Sequence, residues 1–133
     1  MSSFYKTIVP AGAAIGLGWG VGRYGAAGII ASMLAGGLFG AFIGDRMIAG
    51  VVNFIINSEV VLAFYISHNE EEKDKRPVNL LFYSIFEWAI KSNYKIYDFG
   101  IFTVNENPNM GLGRFKENFG ASGIFRDTIE FKF

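Results

Sequence analysis

Residues suited to acid–base chemistry lie in the second half of the chain. Asp98 lies in a short predicted strand, 96–99, that ends at Asp98-Phe99-Gly100, where the glycine lets the backbone turn or approach a ligand closely. Asp98 is therefore a candidate general base or ligand of a substrate amine, with capping of the adjacent loop as the structural alternative. His68 is a second candidate base because imidazole titrates near neutral pH, and a surface histidine without catalytic role is its alternative.

Two cationic and two amide side chains follow Asp98 in the sequence. Arg114 and Lys116 fall in a predicted helix over 111–118 and are candidates for binding a phosphate or carboxylate of a donor or acceptor. Cations on a short exposed helix are also often only solvated. Asn105 and Asn109, in the preceding polar loop, are candidates to orient a substrate, and turn formation explains them equally well.

The composition excludes several kinds of chemistry. The chain has no cysteine, so a disulfide framework, a thiol nucleophile and thiolate metal ligation are excluded. One histidine does not make a His-rich metal site within a single chain, and no metal site is predicted. Twelve basic residues balance twelve acidic ones, so net charge argues neither for nor against nucleic acid.

The hydrophobic pattern predicts the elements that position these residues. In chain order they are strands at 38–43, 47–56 and 60–67, a helix at 78–92, a strand at 96–99, a short helix at 111–118 and a last strand at 124–133. Gly44-Asp45 is a hairpin turn, Pro77 suits the first helical position, and the charged stretch 68–76 is predicted to be a solvated loop. Tyr65 is predicted to line the core or a pocket wall.

The first third of the chain differs in composition. Residues 8–44 contain one charged residue, Arg23, and eleven of the seventeen glycines. We interpret 1–37 as a Gly/Ala-rich helical segment and 38–133 as the domain. A membrane hairpin is the alternative, because small residues at four-residue spacing let helices pack closely. Proline, dense glycine and the lack of a basic cluster argue against it.

Two short motifs in the chain match sequence patterns that occur in nucleotide-binding proteins. Gly20 to Gly25 spells G-x-G-x-x-G, but the glycine-rich residues before it do not suit the strand that a dinucleotide site requires, so a flexible turn is preferred. Asp-Phe-Gly at 98–100 also occurs in protein kinases, yet the kinase catalytic-loop sequence is missing. Neither motif therefore predicts nucleotide binding.

The C-terminal motif resembles the GNAT acyltransferase fold, most closely its FemAB-like branch of aminoacyl and peptidyl transferases. In that branch an aspartate-Phe-Gly … Gly-Leu-x-x-Phe-Lys-x-x-Phe-Gly pattern recurs. It is matched here by Asp98, Phe99, Gly100, Gly111, Leu112, Phe115, Lys116, Phe119 and Gly120. The resemblance covers about 38–133 and implies an α+β fold, with an antiparallel or mixed sheet flanked by helices in the order β-β-β-α-β-α-β.

The resemblance implies transfer of an acyl or aminoacyl group from an activated donor to the amine of a small molecule or peptide, in a cell-wall (peptidoglycan) context. In such folds two splayed central strands hydrogen-bond the donor, and a helix N-terminus receives its phosphates. The equivalent helix starts at Pro77, which makes Asn79 a candidate donor contact. No glycine-containing pyrophosphate loop precedes it, and 70–72 are three glutamates. Aminoacyl-tRNA is therefore favoured over acyl-CoA as donor, with no tightly bound cofactor.

The sequence is also compatible with two other classes of protein. One is a non-catalytic, membrane-associated protein or binding module whose glycine-rich segment inserts into a bilayer. The other is a transferase domain that has lost its activity and serves in binding or assembly, which the missing phosphate loop favours. The acyltransferase hypothesis predicts a cytoplasmic protein with tRNA among its partners and, at most, peripheral contact with a membrane.

Overall fold

The computed structural model describes residues 2–7, 23–24, 28–35 and 37–133. Within these ranges the strands are β1 (Ser2–Thr7), β2 (Arg23–Tyr24), β3 (Ile30–Ala35), β4 (Leu38–Ile43), β5 (Arg46–Ile55), β6 (Val60–His68), β7 (Ile96–Ile101), β8 (Thr103–Val104), β9 (Asn107–Pro108) and β10 (Ser122–Phe125). The α-helices are α1 (Pro77–Lys91) and α2 (Met110–Glu117), and Glu70–Lys75 forms a 3₁₀ helix.

Eight of the described strands form one mixed sheet. Their order is β10-β1-β7-β6-β5-β4-β3-β2, and β8 and β9 form a separate hairpin. β6 and β7 are parallel, whereas the other neighbouring pairs in the described sheet are antiparallel. Parallel neighbours need a crossover connection, which α1 supplies. The predicted α+β fold, a mixed sheet flanked by helices, is confirmed.

The helix α1 packs on one face of the sheet through an apolar stripe. Leu81, Phe82, Ile85 and Ala89 are fully buried, as their helical spacing requires. Phe82 is the centre of an aromatic cluster. Its ring centroid lies 5.1 Å from that of Phe99 in β7, and 5.9 and 5.2 Å from those of Phe115 and Phe119, in and just after α2. The cluster also contains Phe86 and Tyr97. The cluster therefore joins α1, β7 and α2.

The predicted meander and long helix are observed within one or two residues. The turn at Gly44-Asp45 forms, with Gly44 at φ 57°. At the end of α1, Asn93 has φ 63°, its N–H donates to Ile90 O (3.1 Å), and Tyr94 N–H donates to Ala89 O (3.0 Å). This pair of bonds is a Schellman cap, in which an asparagine takes the left-handed position that glycine usually occupies.

The N-terminal part differs from the predicted helical segment where the structure describes it. Residues 2–7, 23–24 and 30–35 are strands, and β3 pairs with β4, with Ile30 opposite Phe42. A domain boundary between 37 and 38 would cut this hairpin. Pairing with β4 and burial of Ile29 and Ala31 in the core outweigh the local preference of an Ala- and Met-containing sequence for helix.

The membrane hypothesis covers two spans, 8–22 and 24–44. The first span lies outside the described part, as does most of the G-x-G-x-x-G stretch, whereas the second contains the strands β3 and β4. Among the described helices, none has the length and apolar character needed to cross a bilayer.

The last predicted strand is shorter than expected. β10 covers Ser122–Phe125, and 126–133 are exposed and have no regular secondary structure. Among the described residues, the ladder between β10 and β1 runs from Ser122 opposite Tyr5 to Phe125 opposite Ser2.

Candidate functional site

The central strands β6 and β7 diverge shortly after they begin. They pair over three positions, the last being Leu62 opposite Asp98, although β6 continues to His68 and β7 to Ile101. Gly100, at φ 69°, still lies near β6, because a Cβ there would lie 3.6 Å from Ala63 O. We call the opening between residues 63–68 of β6 and 99–101 of β7 the wedge.

A bulge in β6 adds to this divergence. Val52 of β5 lies opposite Tyr65, and the next residue, Asn53, lies opposite Ala63, so Phe64 is an extra residue in β6. A bulge of this kind bends its strand and changes the direction of the side chains that follow. Tyr65 to His68 therefore leave the line that β6 follows beside β7.

A groove of about 370 Å³ lies along the same part of β6. It is lined by Leu38, Met47, Ile48, Ala49, Gly50, Val52, Tyr65, Ser67, His68 and Asn69. Tyr65 is 61% exposed and lines this groove, in the position of a pocket wall. The imidazole Nε2 of His68 lies 3.3 Å from Glu70 Oε1 at the groove's end. A hydroxyl, a phenol, an imidazole and the amide of Asn69 thus share one otherwise apolar groove.

The segment after His68 is more ordered than the predicted solvated loop. Glu72 is buried, and its carboxylate pairs with Lys75 and Arg46, whose hydrogen bonds hold its pKa below the ordinary value. Asn69 caps the 3₁₀ helix by accepting from Glu71 N–H at 2.9 Å. Because Glu72 is neutralised, and Glu70 also faces Lys73 at 3.4 Å, this segment repels an anion less than its three glutamates suggest.

The N-terminus of α1 follows this segment. Arg76 precedes the helix in the left-handed conformation, with φ 52° and no side-chain cap. Asn79 is exposed in the first turn, and its N–H donates to Arg76 O at 3.1 Å. Its amide side chain is thus at the surface, in the turn where the resemblance places donor phosphates.

Asp98 lies within β7 rather than at its end, and it is 5% exposed. Its Oδ1 accepts from Gly100 N–H at 2.7 Å, and its Oδ2 accepts from Arg126 Nη2 at 3.1 Å. Burial raises the pKa of this carboxyl above its ordinary value, while the bond from Gly100 and the charge of Lys116 oppose that rise. The contact with Gly100 is the capping role named above as the structural alternative.

Lys116 is buried, contrary to the expectation of an exposed cation. It is 2% exposed, and its Nζ donates to the carbonyls of Phe99 (2.8 Å), Gly100 (3.1 Å) and Ile101 (2.6 Å). Three consecutive carbonyls meet one ammonium because β7 is irregular here: the neighbours Phe4 and Tyr5 of β1 lie opposite Gly100 and Asp98. With its three N–H bonds directed at backbone, this ammonium holds β7 to α2 and is not positioned for a substrate anion.

The remaining candidates serve local structure and do not converge with His68. Asn105 and Glu106, at φ 48° and 66°, form the two-residue turn between β8 and β9, which requires both to be left-handed. Asn109 caps α2 by accepting from Leu112 N–H at 3.0 Å. Arg114 is exposed on α2.

Three residues that matter here had no role assigned from the sequence. Ser67 lines the groove and Arg126 pairs with Asp98, but neither stands out in its local context. Asn53 is 3% exposed; its Nδ2 donates to Gly37 O at 2.8 Å, and its Oδ1 accepts from the hydroxyl of Tyr97. A single amide inside the apolar run 51–56 is a signal of such a buried polar contact.

The stability of the domain should depend on the titration of Lys116. Burial lowers its pKa from 10.5 to about 8. Between these pH values the unfolded chain binds more protons at this lysine than the folded one, so its contribution to the free energy of unfolding rises with pH. In urea unfolding at pH 7.5 and 9.5, we expect the difference between the natural chain and Lys116→Met to grow with pH. Equal differences at both pH values would contradict this assignment.

A comparison with known protein families supports the fold described above. A family model described as an acetyltransferase (GNAT) domain matches residues 27–117, which is more than half of the chain. The chain therefore belongs to the GNAT acetyltransferase family, whose members are generally enzymes acting on an acyl donor and an amine acceptor. The match starts before β3, as expected if this strand is part of the domain. No curated protein and no solved structure matches the chain significantly.

Proposed function

We propose that this chain transfers an acyl or aminoacyl group from an activated donor to an amine, with the reacting arm of the donor in the wedge. The observation that carries the proposal is the divergence of β6 from β7 after Leu62 and Asp98. Strand edges that part in this way offer backbone groups to an extended ligand, in the same manner as a sheet edge binds a peptide. Holding donor and amine together there supplies much of the rate.

His68 is the proposed general base. The neutral amine attacks the donor's carbonyl carbon, a C–N bond forms, and the bond from that carbon to the leaving thiolate or alkoxide breaks. The proton lost by the amine passes to the imidazole of His68, and the leaving group is protonated in turn. His68 and Tyr65 line the groove, whereas both oxygens of Asp98 already accept hydrogen bonds. These contacts favour a positioning role for Asp98, on β7.

The donor is proposed to be an aminoacyl-tRNA, with a peptidoglycan precursor as the amine. The FemAB-like motif at 98–120 and the lack of a glycine-containing loop before α1 support this choice. Acyl-CoA is the second candidate, and one observation favours it. The ion pairs of Glu72 with Arg46 and Lys75 reduce the repulsion that three glutamates would exert on a pyrophosphate.

The proposal is tested by thermal unfolding of the purified chain with aminoacyl-tRNA, acetyl-CoA and coenzyme A. A donor at about one hundred times its Kd stabilises the folded state by roughly 2.7 kcal/mol, which is a rise in Tm of several degrees. Ser67→Trp, in the groove, should abolish the rise, and Ser58→Trp, in the exposed turn before β6, should leave it intact. A folded chain that responds to none of the donors would favour the binding-module alternative.

A further inference from the structure

The segment Thr128–Phe133 has the pattern of a strand with one apolar face. Ile129, Phe131 and Phe133 alternate with Thr128, Glu130 and Lys132, so an extended backbone places the two sets on opposite faces. In this chain the apolar set is exposed, Ile129 at 72% and Phe131 at 74%. The segment forms no ladder with any strand in the described part of the chain. An amphipathic segment of this kind is a template for pairing with another strand.

We propose that Thr128–Phe133 pairs antiparallel with the same segment of a second copy of this chain, across a two-fold axis at Phe131. In this register Glu130 lies opposite Lys132 of the partner subunit, and symmetry repeats that pair. Ile129 lies opposite Phe133 of the partner subunit. Six apolar side chains then share one face, and two ion pairs form on the other.

The charged residues favour this register over registers with the two-fold axis at nearby residues. With the axis at Glu130 or at Lys132, that residue would lie opposite its own copy, and like charges directly opposite each other are unfavourable. With the axis at Ile129, Lys132 would lie opposite Arg126 of the partner subunit, again with like charges. An axis between two residues would place apolar side chains opposite polar ones and mix the two faces.

The charge pattern is also what identifies the partner as a second copy. A two-fold interface uses the same surface on both subunits, so it must be complementary to itself. A strand in which a negative residue lies one position before the central phenylalanine, and a positive residue one position after it, meets this condition in antiparallel pairing.

The absence of cysteine makes a direct test possible. Residues directly opposite each other have Cα atoms about 4.5–5.5 Å apart, which is within the range that a disulfide spans. Phe131→Cys should therefore form a covalent dimer under mild oxidation. Phe125→Cys, which is even more exposed (91% against 74% for Phe131) but lies six residues from the axis, should form little. Equal cross-linking of the two variants would overturn the proposal.

Charge reversal tests the register in the natural dimer. By sedimentation equilibrium, Glu130→Lys should weaken dimerisation about tenfold, because it replaces two ion pairs by two like-charge pairs. The double variant Glu130→Lys with Lys132→Glu should restore it. Asp45→Lys, the same reversal in the distant turn between β4 and β5, should have no effect. A natural chain that stays monomeric, or a double variant that fails to recover, would overturn the proposal.

Discussion

Replacing Lys116 by methionine is expected to lower the free energy of unfolding by about 3 kcal/mol, a fall in Tm of roughly 10 °C. The variant keeps the length and the apolar stem of the side chain but removes the ammonium. The carbonyls of Phe99, Gly100 and Ile101 then lose their donor in a site that is 2% exposed. Relief from burying a charge offsets part of this loss, so the effect is smaller than three separate charged hydrogen bonds would give.

The measurement is urea or thermal unfolding followed by circular dichroism. Arg114→Met is the matched control, since it removes a cation two residues away on the exposed side of α2, and it should change stability by less than about 0.5 kcal/mol. If both variants were equally stable, the three carbonyl contacts would not be holding β7 to α2.

Replacing His68 by glutamine is expected to lower kcat about 100-fold while the KM for the donor stays within about twofold. Glutamine retains a polar side chain at the end of β6 but does not take up a proton. The effect falls on kcat because the base acts as the amine attacks, whereas donor binding depends on the backbone of the wedge. Steady-state kinetics with the donor identified by thermal unfolding would measure both parameters.

Asp98→Asn separates the two candidate bases. Its Oδ1 can still accept from Gly100 N–H, so the variant should fold and keep kcat within about tenfold, as a positioning residue would. Full activity of His68→Gln combined with a folded but inactive Asp98→Asn would assign the base to Asp98 instead. If both variants lose activity, their pH–rate profiles distinguish them. Only the variant that lacks the direct base should lack the ascending limb of the profile.

Local features account for the elements that were predictable from the sequence. The meander follows from apolar runs interrupted by Gly44-Asp45, and α1 follows from an apolar stripe behind Pro77. The motif at 98–120 indicated the acyltransferase family because it preserves residue types at fixed spacing. In these cases residues close together in the sequence are sufficient for the prediction.

Features that depend on distant parts of the chain were not predictable. Lys116 looked exposed because its helix is short and polar, but the irregular strand β7 presents it with three carbonyls. The loop after His68 looked solvated, yet Arg46, from a strand more than twenty residues earlier, neutralises Glu72. The end of the segment 1–37 is a further example, since the pairing of β3 with β4 determines its strand conformation.

The position of β1 in the sheet has a consequence for how the protein forms during synthesis. β3 to β6 pair with their neighbours in sequence, so they can associate as soon as they leave the ribosome. β1 emerges before them but lies between β7 and β10, with Thr7 opposite Ile96 and Ser2 opposite Phe125. A nascent chain that ends before Ile96 thus carries β1 without either partner. Such a strand is a site for chaperones and for aggregation until the last quarter of the chain is made.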